Sequence, residues 1–523
     1  MHEIIYIQSG TYANYIGQHF WNVQESYFDW NEDPEDTGER RPPEVNHDVS
    51  FRQGMGTDGT PTYLPRVLIF DTKDAFGSLS KYNAMYQAVV GEEAVSPSIW
   101  AGASTSLRQQ PYPKSQYQRD LENEVVGVPS KGGPSQPVPS RKAYNPSTWA
   151  DYTRVYYHPR SIWPVTYNLG GNGNKWEEGE EVWNRLREQE DDFWDRDFRL
   201  FAEECDLLQG VQMTSSGSDA FASLSVSLLQ TFQDEYPKLP SLVFLPLSQR
   251  KARFNTYDLA ERRRIACESK ALTMLTEIEA TIVPLQHPAT WLRGKWASGL
   301  AADINFGSAY QTSALLSAQI ESATLPLRLN GNLTSLNSLT SLLNDHADTP
   351  FSQLSGAFPL SDVHFADKVW DFSTAVDSSV IDPMMYSACT TYRGILSLSD
   401  RDTLQERLEQ SMGIREPLLK LSLTQLQYPI LTSYPPILSE YADTIPLMSI
   451  LHTSSRTASL LEHYTTALQG LLDENQFAGL GEGLGRDDIR AMRAELVNLR
   501  EGYVQTDGFE LSDEEREEDD DII

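Results

Sequence analysis

The sequence is poor in cysteine, in positive charge and in long apolar runs, and each shortage removes a class of protein. Three cysteines, Cys205, Cys267 and Cys389, stand far apart in 523 residues. That spacing gives neither a zinc-ligand pattern nor a disulfide framework, and it fits a reducing compartment. Lys and Arg total 42 against 74 Asp and Glu, a formal net charge of -32. A phosphate backbone needs a basic face, so direct nucleic-acid binding is not expected. No apolar run approaches the length of a membrane-spanning helix. The N-terminus has neither the apolar stretch of a signal peptide nor the Arg-rich pattern of a mitochondrial presequence. No Ser/His/Asp arrangement has a recognisable spacing, and His158-Pro159 reads as a structural strand end. The expectation is an acidic, soluble, cytosol-facing protein, long enough for two or three domains and free to dock on an organelle surface.

What is present is concentrated at the start, in MHEIIYIQSGTYANYIGQHFWNVQESYF. Ile4, Ile5, Tyr6 and Ile7 form a short apolar run, Ser9-Gly10 breaks it, and Ile16, His19, Phe20 and Val23 recur at helical spacing. The pattern predicts strand, tight turn, helix. A strand that turns through glycine into a helix N-terminus is a device for holding a phosphate. Val67 to Phe70 reads as a buried strand ending at Asp71, a position that faces the ligand crevice in doubly wound sheets. WADYTRVYYHPRSIWPV, from Trp149, reads as a strand. An acidic helical region follows from Glu177 to Leu208, with Phe198, Phe201, Cys205 and Leu208 on one face. GVQMTSS is the next strand, and a helix follows with Phe221, Leu224, Leu228, Phe232 and Tyr236 inward. LVFLPL is another strand. The alternation predicts an α/β fold with helices on both faces of a parallel sheet.

Residues 1–304 are thus read as a nucleotide-type α/β domain, with polar or Pro/Gly/Ser-rich insertions at 29–62 and 127–147. A central helix occupies 305–329 and ends at Pro326. Mixed strands and Pro-bounded loops predict a second α+β domain over 330–450. Two amphipathic helices fill 451–505, one through Leu460, Leu461, Tyr464 and Leu468, the other through Ile489, Met492, Leu496 and Tyr503. Asp487 is the expected N-cap of the second and Gly502 its stop. Residues 506–523 are a solvated acidic tail.

The opening resembles the start of tubulin, from Met-x-Glu-Ile through Ile-Gln-x-Gly to Asn-x-Ile-Gly and Phe-Trp. ECDLLQGVQ at 204–212 and the helix ending in Glu-Tyr-Pro are a second match. The resemblance places a phosphate site at Gln8, Ser9, Gly10, Asn14, Ser215, Ser216, Gly217 and Ser218. Its signature has eroded. Where tubulins carry Gly-Gly-Gly-Thr-Gly-Ser-Gly, this chain reads Ser215-Ser216-Gly217-Ser218-Asp219-Ala220. Several backbone N–H groups converge on a phosphate only where glycines leave room. Ser216 and Ser218 are able to cap the following helix, and Asp219 satisfies the positive helix end as a phosphate would while repelling one. Thr11-Tyr12-Ala13 replaces Gln-Cys-Gly, Asp71-Thr72-Lys73 replaces Asp-Leu-Glu, and Tyr310 stands where an asparagine reads the guanine edge. Between Gly331 and Asn344 there is no Asp or Glu to position a hydrolytic water.

This patterned divergence resembles the Misato family of tubulin-like proteins, on the tubulin-like opening, YPKSQYQRDL at 112–121, WADYTRVYYHPRSI at 149–162, ECDLLQGVQ, and SATLPLRL at 322–329. Membership implies a tubulin-like fold and a role in mitochondrial distribution, morphology and inheritance of mitochondrial DNA. It implies a protein at the cytosolic face of mitochondria and in the cytoplasm, with protein partners that are cytoskeletal or on the mitochondrial surface, and self-assembly as an open option. The expectation is a non-catalytic scaffold with a degenerate GTPase site, no cofactor and no metal. The alternatives are a GTP-binding protein, with Gln8, Gly10, Asn14, Lys73 and Ser215 to Ser218 as ligands, and a tubulin-binding assembly factor.

Overall fold

The computed structural model describes residues 2–28, 44–55, 61–77, 79, 114–125, 144–166, 175–188, 193–250, 254–292, 295–297, 299–301, 304–332, 334–346, 349–357, 369–374, 383–394, 401–414, 418–438 and 442–504. Much of the two expected insertions, and the acidic tail, lie outside the described residues.

Alternation within the first strand sets the architecture. In β1 (Glu3–Ser9) Ile4 and Tyr6 enter one core while Ile5 and Ile7 enter another. A strand buried on both faces belongs inside a sheet covered by helices on each side. The chain continues through α1 (Thr11–Ser26), the antiparallel pair β2 (Phe51–Met55) and β3 (Pro61–Pro65), β4 (Val67–Thr72), α2 (Gln116–Val125) and β5 (Ile162–Val165). Then come α3 (Trp176–Glu188), α4 (Arg199–Glu203), β6 (Leu208–Ser215), α5 (Ala220–Glu235), β7 (Ser241–Pro246), α6 (Leu259–Glu277) and β8 (Thr281–Leu285). The six strands pair in parallel in the order β5-β4-β1-β6-β7-β8. Strand order reverses between β1 and β6, so the crevice beyond their C-terminal ends is the switch point where such sheets place ligands.

α7 (Ala309–Thr324) is buried almost along its length and gives way at Pro326 to a 3-10 turn, as its sequence predicts. It packs on α1 and on a second sheet. That sheet is built from β9 (Gln353–Ala357), β10 (Trp370–Asp371), β11 (Met385–Arg393), β12 (Leu419–Thr424) and β15 (Leu447–Ser454), in the order β10-β9-β15-β11-β12. Its one parallel pair is β11 with β12. α8 (Leu336–Leu343), α9 (Arg401–Met412) and the small pair β13 (Tyr428–Pro429) and β14 (Thr444–Ile445) complete this half. α10 (Thr457–Asp473) and α11 (Arg486–Glu501) fold back onto α6 and join the core on that face of the first sheet.

The structure corrects four expectations. Only Ile162–Val165 of the 149–165 segment is a strand; Trp149–Tyr152 and Pro159–Ser161 are 3-10 turns. A 3-10 turn eclipses residues i and i+3, so Trp149 and Tyr152 are buried together without strand alternation. The acidic helical region breaks up, with a π turn at Trp194–Phe198, and α4 stops at Glu203. Cys205 therefore follows the helix and Leu208 opens β6. The insertion 29–62 contains a 3-10 turn at His47–Val49 and the β2–β3 pair, which buries Phe51 and Leu64. Gly485, not Asp487, is the N-cap of α11, and its N–H donates to the Asp488 carboxylate at 2.9 Å.

One buried charge cluster joins the halves. Glu321 on α7, Arg328 beyond it and Arg393 on β11 have no exposed side-chain surface. The Arg393 guanidinium meets one Glu321 oxygen, and Arg328 lies 3.5 Å from the other. Gln24 on α1 and Tyr27, just past its C-terminal end, donate to Glu321 at 2.9 and 3.1 Å. Two guanidiniums face one carboxylate, and main-chain carbonyls take up several of the surplus donors. Arg393 donates to Leu426 O and Gln427 O, and Arg328 to Glu321 O. Glu321→Gln would leave two buried guanidiniums without their counter-ion. We expect a loss of about 3–5 kcal/mol in urea unfolding, the range for breaking a buried pair from one side. A loss below about 1 kcal/mol would show that the carbonyls alone suffice.

Candidate functional site

The switch point is built from two strand-to-helix turns. At the first, Gly10 has φ +100° and caps α1 with no side chain, which a residue bearing a Cβ does only under strain. Its N–H donates to Phe70 O at 3.0 Å. The N-terminus of α1 faces Asp71, fully buried at the end of β4. Thr11 Oγ1 and Thr72 N donate to Asp71 Oδ1, each at 2.8 Å. Asn14 Nδ2 and Trp149 Nε1 donate to Oδ2, each at 2.9 Å. Burial pushes the Asp71 carboxyl above its ordinary range, and the four donors partly offset that. Asp71 thus supplies the negative charge that the positive end of α1 favours.

The second turn repeats the arrangement. Asp219 caps α5, its Oδ1 accepting from Phe221 N at 3.0 Å while Ser216 Oγ donates to Oδ2 at 2.8 Å. The cap falls to Asp219, with Ser216 as its support, rather than to the serines themselves. Asp219 keeps partial surface exposure, yet its carboxylate lies deep enough that desolvation pushes its pKa up to about 6. Asp71 and Glu268 add to that rise by like-charge repulsion, while the two hydrogen bonds oppose it.

The residues expected to hold a phosphate are brought together here, and most are engaged with one another. Asn14 donates to Phe70 O as well as to Asp71. Ser215 Oγ donates to Ser225 Oγ at 2.7 Å. Ser216 N donates to Ser9 O and Gly217 N to Pro246 O, at 2.9 and 3.0 Å. The space beside Gly10 is closed, since an added Cβ would meet Ser216 Cβ at 3.0 Å and the Phe221 ring at 3.4 Å. Gln8 lies apart, packed beneath α1 so tightly that a Cβ on Gly17 would overlap its amide. Ser9 is buried at the strand end, Ser218 is half-buried, and Lys73 is exposed at the start of a 3-10 turn.

Aromatic rings fill the space between the N-terminal parts of α1 and α7. Tyr12, Tyr15 and His19 stand at i, i+3 and i+7 on α1. His19 stacks on Tyr152 at 4.6 Å and on Tyr310 at 5.4 Å, with Tyr434 edge-on at 5.9 Å. Tyr310 donates to Ser433 O at 2.8 Å, and Tyr12 to Thr312 Oγ1 at 3.0 Å. Burial pulls the His19 pKa down to about 3, so the ring is neutral and its Nε2 lies 3.1 Å from Tyr310 O. Sequence reasoning placed Tyr12 and Tyr310 at the site but missed His19, Tyr15, Tyr152, Trp149 and Phe221. The helical spacing of the three α1 rings was the available signal.

Comparison with known proteins agrees with this fold. Residues 2–123 match the family profile described as the Misato Segment II tubulin-like domain, and residues 138–329 match the Tubulin domain. Protein dml1 of Aspergillus clavatus is 31% identical over 513 residues, covering 93% of this chain and 96% of that protein. Protein DML1 of Gibberella zeae is 30% identical over 516 residues, covering 92% and 96%. Protein misato of Drosophila melanogaster is 31% identical over 371 residues, covering 64% and 61%.

The Asp219 cap has a pH signature. Its folded pKa lies above the unfolded value, so the folded state holds the extra proton and stability from this group falls as pH rises from about 4 to about 6. Asp219→Asn keeps an acceptor for Phe221 N and removes the titration. We expect the variant to gain about 1–3 kcal/mol on wild type between pH 4 and pH 7, read from urea midpoints. Parallel pH profiles for the two chains would refute the assignment.

Proposed function

Because the chain belongs to the Misato family of tubulin-like proteins, we propose that it is a non-catalytic scaffold acting in the distribution and morphology of mitochondria and in inheritance of mitochondrial DNA. The mitochondrial assignment, at the cytosolic face of the organelle and in the cytoplasm, rests on family membership. The non-catalytic part rests on the switch point. There Asp219, which has no counterpart in the tubulin signature, caps the helix N-terminus that would otherwise attract phosphate.

Three observations favour this reading over a GTP-binding cycle. The amides of Gly10, Ser216 and Gly217 donate to main-chain carbonyls, so a phosphate would have to displace them. An incoming polyphosphate would meet the Asp219 carboxylate, which stands where the tubulin signature carries no acid. Tyr310 is only 5% exposed and its hydroxyl is committed to Ser433 O, so the position expected to read a base edge is inside the packing. Hydrolysis through a tubulin-type subunit contact further needs a carboxylate after the central helix. The segment from Gly331 to Asn344 has none, and Ser335 there caps α8. The frame is left with its surfaces, and protein partners are the use for them.

The test is direct. Purified full-length chain is denatured and the supernatant analysed for guanine nucleotide, and intact chain is titrated with GTP and magnesium. We expect nucleotide far below one equivalent and no saturable binding at micromolar GTP. Stoichiometric release of GTP or GDP would overturn the scaffold reading in favour of the GTP-binding alternative.

A further inference from the structure

The described surface of this acidic chain includes a basic groove beside the edge strand β5. β5 is the outermost strand of the first sheet, paired on one side with β4. A groove of about 360 Å³ runs between it and α3, and its charged lining is Arg160, Arg185, Arg196 and Asp197. Trp163, from β5, supplies an aromatic wall. The Arg196 guanidinium lies 5.6 Å over the Trp163 ring, and Trp163 Nε1 donates to Arg160 O at 3.0 Å.

Charge accounting sets this groove apart. Asp197 has no exposed side-chain surface and receives Arg196 through two hydrogen bonds, each of 3.0 Å. That bidentate contact already neutralises one buried carboxylate. Arg160 lies 3.6 Å from the same carboxylate and donates to Arg196 O at 3.2 Å. Arg185 donates to two main-chain carbonyls, Thr166 O at 2.6 Å and Glu181 O at 3.4 Å. Among the described residues that line it, three guanidiniums face one carboxylate, in a chain of net charge -32. Arg160 and Arg196 keep 42% and 37% of their side chains exposed, so these cations face solvent. An exposed strand edge invites pairing by a foreign strand, but Pro164 removes one N–H from this edge. Recognition there falls to side chains, whose planar forks suit carboxylates.

We propose that this groove docks an acidic, extended segment of a partner protein, its carboxylates on Arg160 and Arg185 and its backbone beside Trp163. The inference rests on the scaffold reading for the partner being a protein. It fixes the chemistry of that partner as acidic.

Fluorescence anisotropy on the full-length chain tests it, with a labelled short polyglutamate peptide and a polyglutamine peptide of equal length. We expect saturable binding of polyglutamate that weakens as salt rises, and none of polyglutamine. Arg185→Glu should weaken binding about tenfold or more with an unchanged melting temperature, and Arg185→Lys should recover part of the loss. Arg160→Gln serves as an independent variant that leaves the Arg196–Asp197 pair in place. Equal binding by wild type and both charge-removing variants would overturn the proposal, as would equal binding of polyglutamine. Binding that emerges only after the acidic residues of 513–521 are changed to amides would also overturn it, by showing that the chain's own tail fills the groove. None of these failures alters the nucleotide measurement, so loss of this inference leaves the scaffold reading standing.

Discussion

The fold depends on a single buried carboxylate. Glu321 sits on the helix that separates the two sheets, and both sides of that helix converge on it. Gln24 reaches it from the helix packed on the first sheet, Tyr27 from just past the end of that helix, and Arg393 from a strand of the second. Arg328 closes the cluster from the turn beyond α7 and lies over the Phe20 ring at 5.0 Å. Such a cluster is weak as a source of net stability, because desolvating its charges costs about as much as their attraction returns. It is strong as a device of register. Sliding α7 by one residue would strand the Arg393 guanidinium in the core, so apolar packing is held to one alignment of the halves.

The same logic, one strand order away, explains the crevice. A doubly wound sheet leaves two helix N-termini pointing into its switch point, and each must find negative charge or acceptors. In a nucleotide-binding protein the ligand supplies them. Here Asp71 supplies them for α1 and Asp219 for α5, each tied to its turn by hydrogen bonds within the chain. The aromatic stack of Tyr15, Tyr152, His19 and Tyr310 does for the opposite end what a purine ring would do, filling the space between α1 and α7 with stacked π surface.

The parallel sheet was legible because its strands are short β-branched runs set off by Gly, Ser or Pro, and the central helix because Pro326 marks its end. Asp71 and Asp219 were legible as site positions, since strand ends and helix starts can be read locally. The partners of those positions were not. Trp149 lies 78 residues from Asp71, and His19 lies 291 residues from Tyr310. Nothing local to either residue announces the pairing. The 149–165 segment misled for a related reason. Its Trp, Tyr, Val and Ile content has strand character, but Pro159 and the Asp151 carboxylate, which accepts from Ser147 N and Thr148 N, bend it into 3-10 turns. The cluster around Glu321 was invisible, because Glu321 reads as a polar residue of an amphipathic helix until the second sheet is placed against it.

Asp219 is a costly choice of cap, and the cost is informative. Asn or Ser would accept the same N–H with little titration penalty, whereas a carboxylate pushed up to about 6 is held ionised at neutral pH against its surroundings. The charge also does something a neutral cap cannot. It raises the energy of any second anion at the start of α5. A neutral cap would leave α5 equally well started but would leave the crevice attractive to phosphate, because the helix dipole would still be uncompensated. The carboxylate at the start of α5 therefore opposes a second anion there electrostatically, while the packing beside Gly10 narrows the same turn sterically.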